Sequence, residues 1–437
     1  MFCQLEILRH SFPPSVRRIL EELPDSLDET YERILREIRK PNRRHAHRLL
    51  QCLVVAVRPL RVEELAEVLA FDFNAEGIPK LNLGWRWEDQ KEVVMSACSS
   101  LVIIVKEGDS RIVQFSHFSV KEFLTANRLA EPIRDVSLYH IRPEAAHTIL
   151  AQACLGVLLR LDDHVDRDNI KSFPLALYAA QYWPTHARVD HASPHIKYGM
   201  EILFDADEPH FATWLWIYNE ENKLGSRSMS TMRPEKPEAI PLYYAAKLGL
   251  CDLAEHLIAK HPEHVSARGG KQEAPMHAAA SAGHANILSV LIGRGADMDC
   301  RSRADLTPLH RASWNGRLEA GKCLIDHGAD CNAQSSPGNS VLLYAASRGH
   351  VEFARMLLER GALAVIDAPG LRGRTPLHWA VQNGKSQVVQ LLLESGANVN
   401  ARDELGGTPS GLASESFAGY QEIVELLSAY GAESVKE

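Results

Sequence analysis

TPLHRASWNG at Thr307–Gly316 and TPLHWAVQNG at Thr375–Gly384 are one phrase, and the chain restates it six times. The other copies are IPLYYAAKLG from Ile240, APMHAAASAG from Ala274, SVLLYAASRG from Ser340 and TPSGLASESFAG from Thr408, so the starts lie 34, 33, 33, 35 and 33 residues apart. A second phrase trails the copies as GADMDC at Gly295, GADCNA at Gly328, GALAVI at Gly361, GANVNA at Gly396 and GAE at Gly431. Thr and Pro open a helix whose first turn needs a side-chain cap and a preset φ. An alanine column (Ala245, Ala279, Ala312, Ala345, Ala380) lets neighbouring helices approach closely. Gly249, Gly283, Gly316, Gly349 and Gly384 then end that helix, where φ > 0 is required.

Apolar runs such as ARMLLERG and VVQLLLESG make a second helix, and Gly-Ala-Asp/Asn-x-Asn makes the exit turn. One such unit cannot bury its own apolar face, so the units must stack. A period near 33 carrying T-P-L-H-x-A resembles the ankyrin repeat. The expectation is six repeats over residues 240–437. The last is a cap, with Ser410-Gly411 in place of Leu-His, two extra residues before Gly419, and Glu422 and Glu425 on a polar closing helix.

With 437 residues the chain exceeds one core. Its apolar content of 45% and charged content of 24% are those of an ordinary globular protein, and a net charge of -8 offers no general attraction to nucleic acid or an anionic membrane. Eight scattered cysteines without a CxxC pair read as reduced thiols. The N-terminal MFCQLEILRHSFPPSVRR is too charged for a signal peptide. Leu49–Val57, the longest uncharged apolar run, is far short of the roughly 20 residues a span needs. A cytoplasmic chain without a membrane partner is expected.

Upstream of the repeats, LPDSLDETYERILREIRK from Leu23 reads as a helix capped by Asp25 or Ser26, with Leu27, Tyr31, Ile34, Leu35 and Ile38 on one face. HRLLQCLVVAV and VEELAEVLAFDF follow as helices, then DQKEVVMSACSS. LVIIVKE and SRIVQFSH form a hairpin turned at Gly108-Asp109. Helices followed by a hairpin make a winged-helix pattern. The fold expected is mainly α: a winged-helix domain over 21–130, a helical spacer and linker over 131–239, then an ankyrin α-solenoid. Residues 1–20 read as the edge of a preceding module.

The phrases LPDSLDETYERIL, RLLQCLVVAVRPLRVEELAEVLA and CSSLVIIV…RIVQFSHFSVKEFL resemble the winged-helix segment that follows the NACHT module in fungal NOD-like receptors, signalling ATPases of the STAND class. HIRPEAAHTILAQACLGVLL at His140–Leu159 and FPLALYAAQYWPTHAR at Phe173–Arg188 continue the resemblance into the repeats. It implies the sensor half of an innate-immune type of receptor. The family's phosphate loop is absent from this sequence: NGKSQVV imitates its tail, but Trp379 stands where its first glycine belongs. The ATPase therefore does not carry over. The rival readings are a STAND ATPase whose front half is missing from this chain, and a plain ankyrin scaffold without switching.

Catalytic and metal chemistry find little footing. His45/His47, His261/His264 and His186/His191/His195 do not combine with cysteine at zinc spacing, and His277, His310 and His378 occupy the repeat position whose imidazole bonds backbone in the stack. LDDHVDRDN at Leu161–Asn169 lacks the central Gly and terminal Glu of a calcium loop. Ser116-His117 is placed on the hairpin without a carboxylate to orient it. A DNA-reading helix needs basic or amide side chains, whereas RVEELAEVLAFDF sets Glu63, Glu64, Glu67 and Asp72 against Arg61. The basic run Arg33–Arg48 is mixed with Glu32 and Glu37 and reads as a solvated face. No enzyme activity, cofactor, metal, nucleic acid or small-molecule substrate is expected.

The remaining candidate is the array's concave face. The residue after the histidine position is free of the repeat's pattern, and there the chain carries Tyr244, Arg311, Tyr344 and Trp379, with Ala278 in the second copy. Trp314, Asn315, Arg348, Gln382 and Asn383 lie near the inter-helix turns. Tyr, Trp and Arg are the residues enriched at binding hot spots, against the plainer reading that exposed aromatics merely cover the stack. These nine positions are the expected site for a protein partner, with the turn tips Arg301–Arg303 and Leu371–Arg374 as a second surface.

Overall fold

The computed structural model describes residues 27–75, 77–131, 136–162, 164–166, 169–188, 194–222, 240–269, 272–414 and 420–433. The chain divides into two compact units, one running to Glu235 and one from Lys236. The expected edge at 1–20, the caps Asp25 and Ser26, most of the linker before the repeats and the extra residues before Gly419 lie outside the described residues.

In the first unit, α1 (Leu27–Glu37) carries Asp28 and Glu29 in its first turn and buries Tyr31, Ile34 and Leu35, while Leu27 stays exposed. Then come α2 (Arg43–Val55), β1 (Leu60–Arg61), α3 (Val62–Glu67), β2 (Phe71–Asp72), β3 (Lys80–Leu81), α4 (Gln90–Cys98), β4 (Val102–Glu107), β5 (Ser110–Phe115) and α5 (Phe118–Thr125). The sheet runs β1-β5-β4, all antiparallel, with Val113 opposite both Leu60 and Ile104. Three helices, a two-residue strand and a wing of two strands make the winged helix.

The structure corrects the local reading twice. The third expected helix is short: VEELAE is α-helical, a 3-10 turn follows, and Phe71-Asp72 pairs as a strand with Leu81 and Lys80. The helix that precedes the wing is therefore α4. Its exposed face carries Lys91 and Glu92, so it offers no net basic charge to a DNA groove.

The segment after α5 packs on the winged helix. It contains α6 (Pro143–Leu158), α7 (Leu175–Ala187), α8 (Pro194–Leu203) and α9 (Pro209–Asn222). Gly156 in α6 lets the β2–β3 hairpin come close, for a Cβ there would stand 2.4 Å from the Pro79 carbonyl oxygen and 2.8 Å from the Phe71 ring. The Glu67 carboxylate accepts from the Leu175 amide at 2.7 Å, and the Tyr178 hydroxyl accepts from the Val57 amide at 3.1 Å. Trp183, Phe204, Phe211 and Trp214 close an aromatic core in which the Trp214 indole donates to the Ala180 carbonyl at 3.0 Å.

The second unit is six helix pairs: α10 (Pro241–Leu248) with α11 (Cys251–Lys260), α12 (Pro275–Ala282) with α13 (Ala285–Gly293), α14 (Pro308–Trp314) with α15 (Leu318–Asp326), α16 (Val341–Arg348) with α17 (Val351–Glu359), α18 (Pro376–Gln382) with α19 (Ser386–Glu394), and α20 (Pro409–Ser414) with α21 (Gln421–Ala429). The Thr307 and Thr375 hydroxyls accept from the His310 and His378 amides, and all five alanines of the column are fully buried. Gly249, Gly283 and Gly349 have φ of 75°, 94° and 81° at the helix ends. The side chains of His284, Arg317 and Lys385 lie against these same glycines, so a side chain there would be strained and crowded at once.

Between pairs the chain makes a recurring narrow loop. The amides of Gly269, Ser302, Ser335, Gly370 and Asp403 each donate to the carbonyl four residues on, at 2.9–3.0 Å. Across the stack, the Nε2 atoms of His277, His310 and His378 bond the carbonyls of Leu306, Asn339 and Gly407 at 2.8, 3.2 and 3.1 Å. In the first repeat the hydroxyl of Tyr243 takes this place and donates to Glu273 at 3.0 Å. In the fourth, Leu343 stands there and no imidazole crosses. The Leu371 amide instead donates to the Asn339 side chain at 2.8 Å.

Candidate recognition face

The first helices set the candidate residues in one column, and the structure joins them in three groups. The central group is Trp314, Tyr344 and Arg348. Trp314 ends α14 and is 39% exposed. The Tyr344 ring meets its edge at 5.4 Å between centroids, and the Arg348 guanidinium lies 3.7 Å over the indole. The base of Tyr344 is fixed by an edge contact with His310 and by its hydroxyl, which Asn339 Nδ2 reaches at 3.4 Å. A cation over an exposed indole is worth about 0.5–1 kcal/mol and holds both groups in place before any partner arrives.

Arg311 belongs elsewhere. It forms an ion pair with the nearly buried Glu273, the same carboxylate that Tyr243 reaches, so one acidic side chain ties three repeats. Burial and Glu273 together push the Tyr243 hydroxyl well up from its ordinary value. Tyr244 packs edge-on against Tyr243, with the Lys247 ammonium 5.8 Å from its ring. The third group centres on Arg374, buried in an ion pair with Asp403 at 3.1 Å. It donates to Gln382 at 2.8 Å and lies 5.8 Å from the Trp379 ring. Asn315 and Asn383 fold back, donating to the carbonyls of Arg311 and Trp379 at 3.0 and 2.8 Å.

Glu273 is the residue of this face that the sequence reading missed. Arg374 is a candidate turn-tip residue that the structure makes internal. Leu371 and Arg372 are exposed at that tip, and Arg301 turns inward to the Asp305 carbonyl at 2.9 Å.

Away from this face, the Ser116-His117 pair and the buried thiols are held structurally. His117 is not on the hairpin; it caps α5, accepting from the Ser119 amide at 3.3 Å, and its partner is the Ser119 hydroxyl at 2.6 Å rather than a carboxylate. Burial pushes the thiols of Cys52, Cys98 and Cys300 up to about 12, which keeps them protonated and unreactive. His186 is buried between Tyr178 and His147, both at 2.9 Å, and burial holds it neutral, down at about 3. His191 lies outside the described residues. Among the described residues no helix is long and apolar enough to cross a membrane.

These features define a mainly helical protein with an N-terminal winged helix and ankyrin repeats, a layout made for protein–protein contact. Ankyrin-repeat family models match at residues 242–335, 323–403 and 366–437, and the model for the GPI inositol-deacylase winged helix domain matches at 31–133. The chain is similar to azaphilone pigments biosynthesis cluster protein L of Monascus ruber, 34% identical over 295 residues, which is 64% of this chain and 61% of the relative. Its repeats are similar to a putative ankyrin repeat protein of Rickettsia bellii (48% over 58 residues, 13% of this chain and 23% of that one) and to human Rabankyrin-5 (51% over 55 residues, 13% and 4%). The chain thus spans about three fifths of the length of the Monascus relative.

Proposed function

We propose that the chain is the recognition half of a NACHT–ankyrin type of receptor in the cytoplasm of a fungus, binding a protein partner through the column of first helices. The observation that carries the binding face is the pre-ordered set of the exposed Trp314 and Arg348 with the half-buried Tyr344. Its chemistry matches that of interface hot spots, and its rotamers are already fixed. Arg317, Arg348 and Lys385 stand at the helix turns of a chain whose net charge is -8, so this face favours a partner with an acidic patch. The receptor reading rests on the winged helix and the helical segment sharing one core, a single body through which an upstream module would be read out. A second reading follows from the Monascus relative, whose name places it in a pigment biosynthesis cluster: a scaffold for proteins of such a cluster, without switching.

The full chain, beside variants Trp314→Ala and Arg348→Glu checked by circular dichroism, is used to capture partners from the source organism's extract. A partner held by the wild type and lost by both folded variants supports the face. Equal capture retires these residues in favour of the turn tips. Mapping the transcript's 5′ end separates the readings: an upstream GxxxxGK[ST] loop supports the receptor, and its absence from the full transcript favours the scaffold.

A further inference from the structure

The turn after α11 gathers three metal-ligating side chains. Pro262 opens a 3-10 helix over Pro262–Ser266, and the His264 amide donates to the His261 carbonyl at 3.0 Å. A three-residue turn brings side chains i and i+3 into eclipse. The two imidazoles accordingly stack, with centroids 4.8 Å apart and planes 25° from parallel. Glu263 Oε1 sits 3.4 Å from His261 Nδ1 and 3.9 Å from His264 Nε2, and the three donor atoms all lie within 4.8 Å of one another. Ligands at about 2.0–2.1 Å from a tetrahedral zinc are roughly 3.4 Å apart. One edge of the triangle is already at that spacing, and the others need small rotations of surface side chains.

We propose that His261, Glu263 and His264 form a surface site for a divalent transition metal, with water in the remaining positions. Two imidazoles and one carboxylate suit zinc, nickel or copper(II) and not magnesium or calcium, which demand oxygen donors. The three side chains are 33%, 68% and 23% exposed, so a metal reaches them without unfolding the repeat. A bound ion would pin the end of α11 to the turn that leads into the second repeat. The sequence spacing H-x-x-H hinted at the pair; the contribution of Glu263 and the eclipsing turn are structural.

The test uses the full chain without a histidine tag, dialysed against Ni²⁺ or Zn²⁺ and titrated with Co²⁺. The wild type should take up one equivalent more than His264→Ala, and Glu263→Gln should weaken that equivalent severalfold while circular dichroism stays unchanged. The cobalt complex should show ligand-field bands without thiolate charge transfer. Equal uptake by wild type and His264→Ala overturns the site and leaves an ordinary ion pair. Thiolate bands, or loss of the equivalent in His327→Ala, assign the metal to the Cys323–His327 pair and overturn it equally.

Discussion

At single residues, the recurrent theme is the neutral buried imidazole. Burial lowers His310 from 6.5 to about 4 and His186 from 6.5 to about 3, the Asn339 carbonyl opposing the shift at His310. The folded values lie below the unfolded one, so the unfolded chain binds the extra protons. Stability from these groups is fully present above pH 6.5 and is lost as pH falls toward the folded values. At pH 5 each should cost about 2 kcal/mol relative to pH 7. Urea midpoints measured at the two pH values should show the drop, and a flat profile would contradict the buried neutral state. The same residues show how much sequence can tell. The bond from imidazole to the next repeat was legible at His277, His310 and His378, because each repeat restates it. Glu273 under Arg311 was not legible, because its partner lies 38 residues away and no rule of the repeat pairs them.

Among elements, close approach and buried charge decide. Replacing Gly156 by Ala adds helix propensity worth about 1 kcal/mol, yet drives a methyl into the Pro79 carbonyl and the Phe71 ring. Overpacking of this kind costs roughly 1–3 kcal/mol, so Gly156→Ala should lower stability where helix propensity alone forecasts a gain; a raised urea midpoint would refute the contact. Glu64, fully buried at the start of α3, is held by Arg58 at 2.7 and 2.8 Å and by the Arg61 amide at 2.8 Å. Removing Arg58 leaves a buried carboxylate without its cation, and Arg58→Ala should cost about 3 kcal/mol in a denaturation series. Neither effect is legible in the sequence, for β1 is two residues long and the mixed acidic and apolar run Val62–Phe73 does not show where helix yields to strand. The wing itself was legible from its two β-rich runs and its Gly-Asp turn.

For the whole molecule, the consequence of two compact units is that each should keep its structure without the other. A fragment of residues 236–437 should retain the helical circular dichroism expected of its six pairs and unfold cooperatively; a fragment that is unfolded in water would contradict an independent core. Inside that unit the stack is latched by side chains that reach from one repeat to the next, and where Leu343 replaces histidine the imidazole latch gives way to the bond from the Leu371 amide to the Asn339 side chain. Pulled from its ends, a solenoid yields at its least-fastened seam. Under load, the last two repeats should therefore peel away as one piece, leaving the preceding four standing.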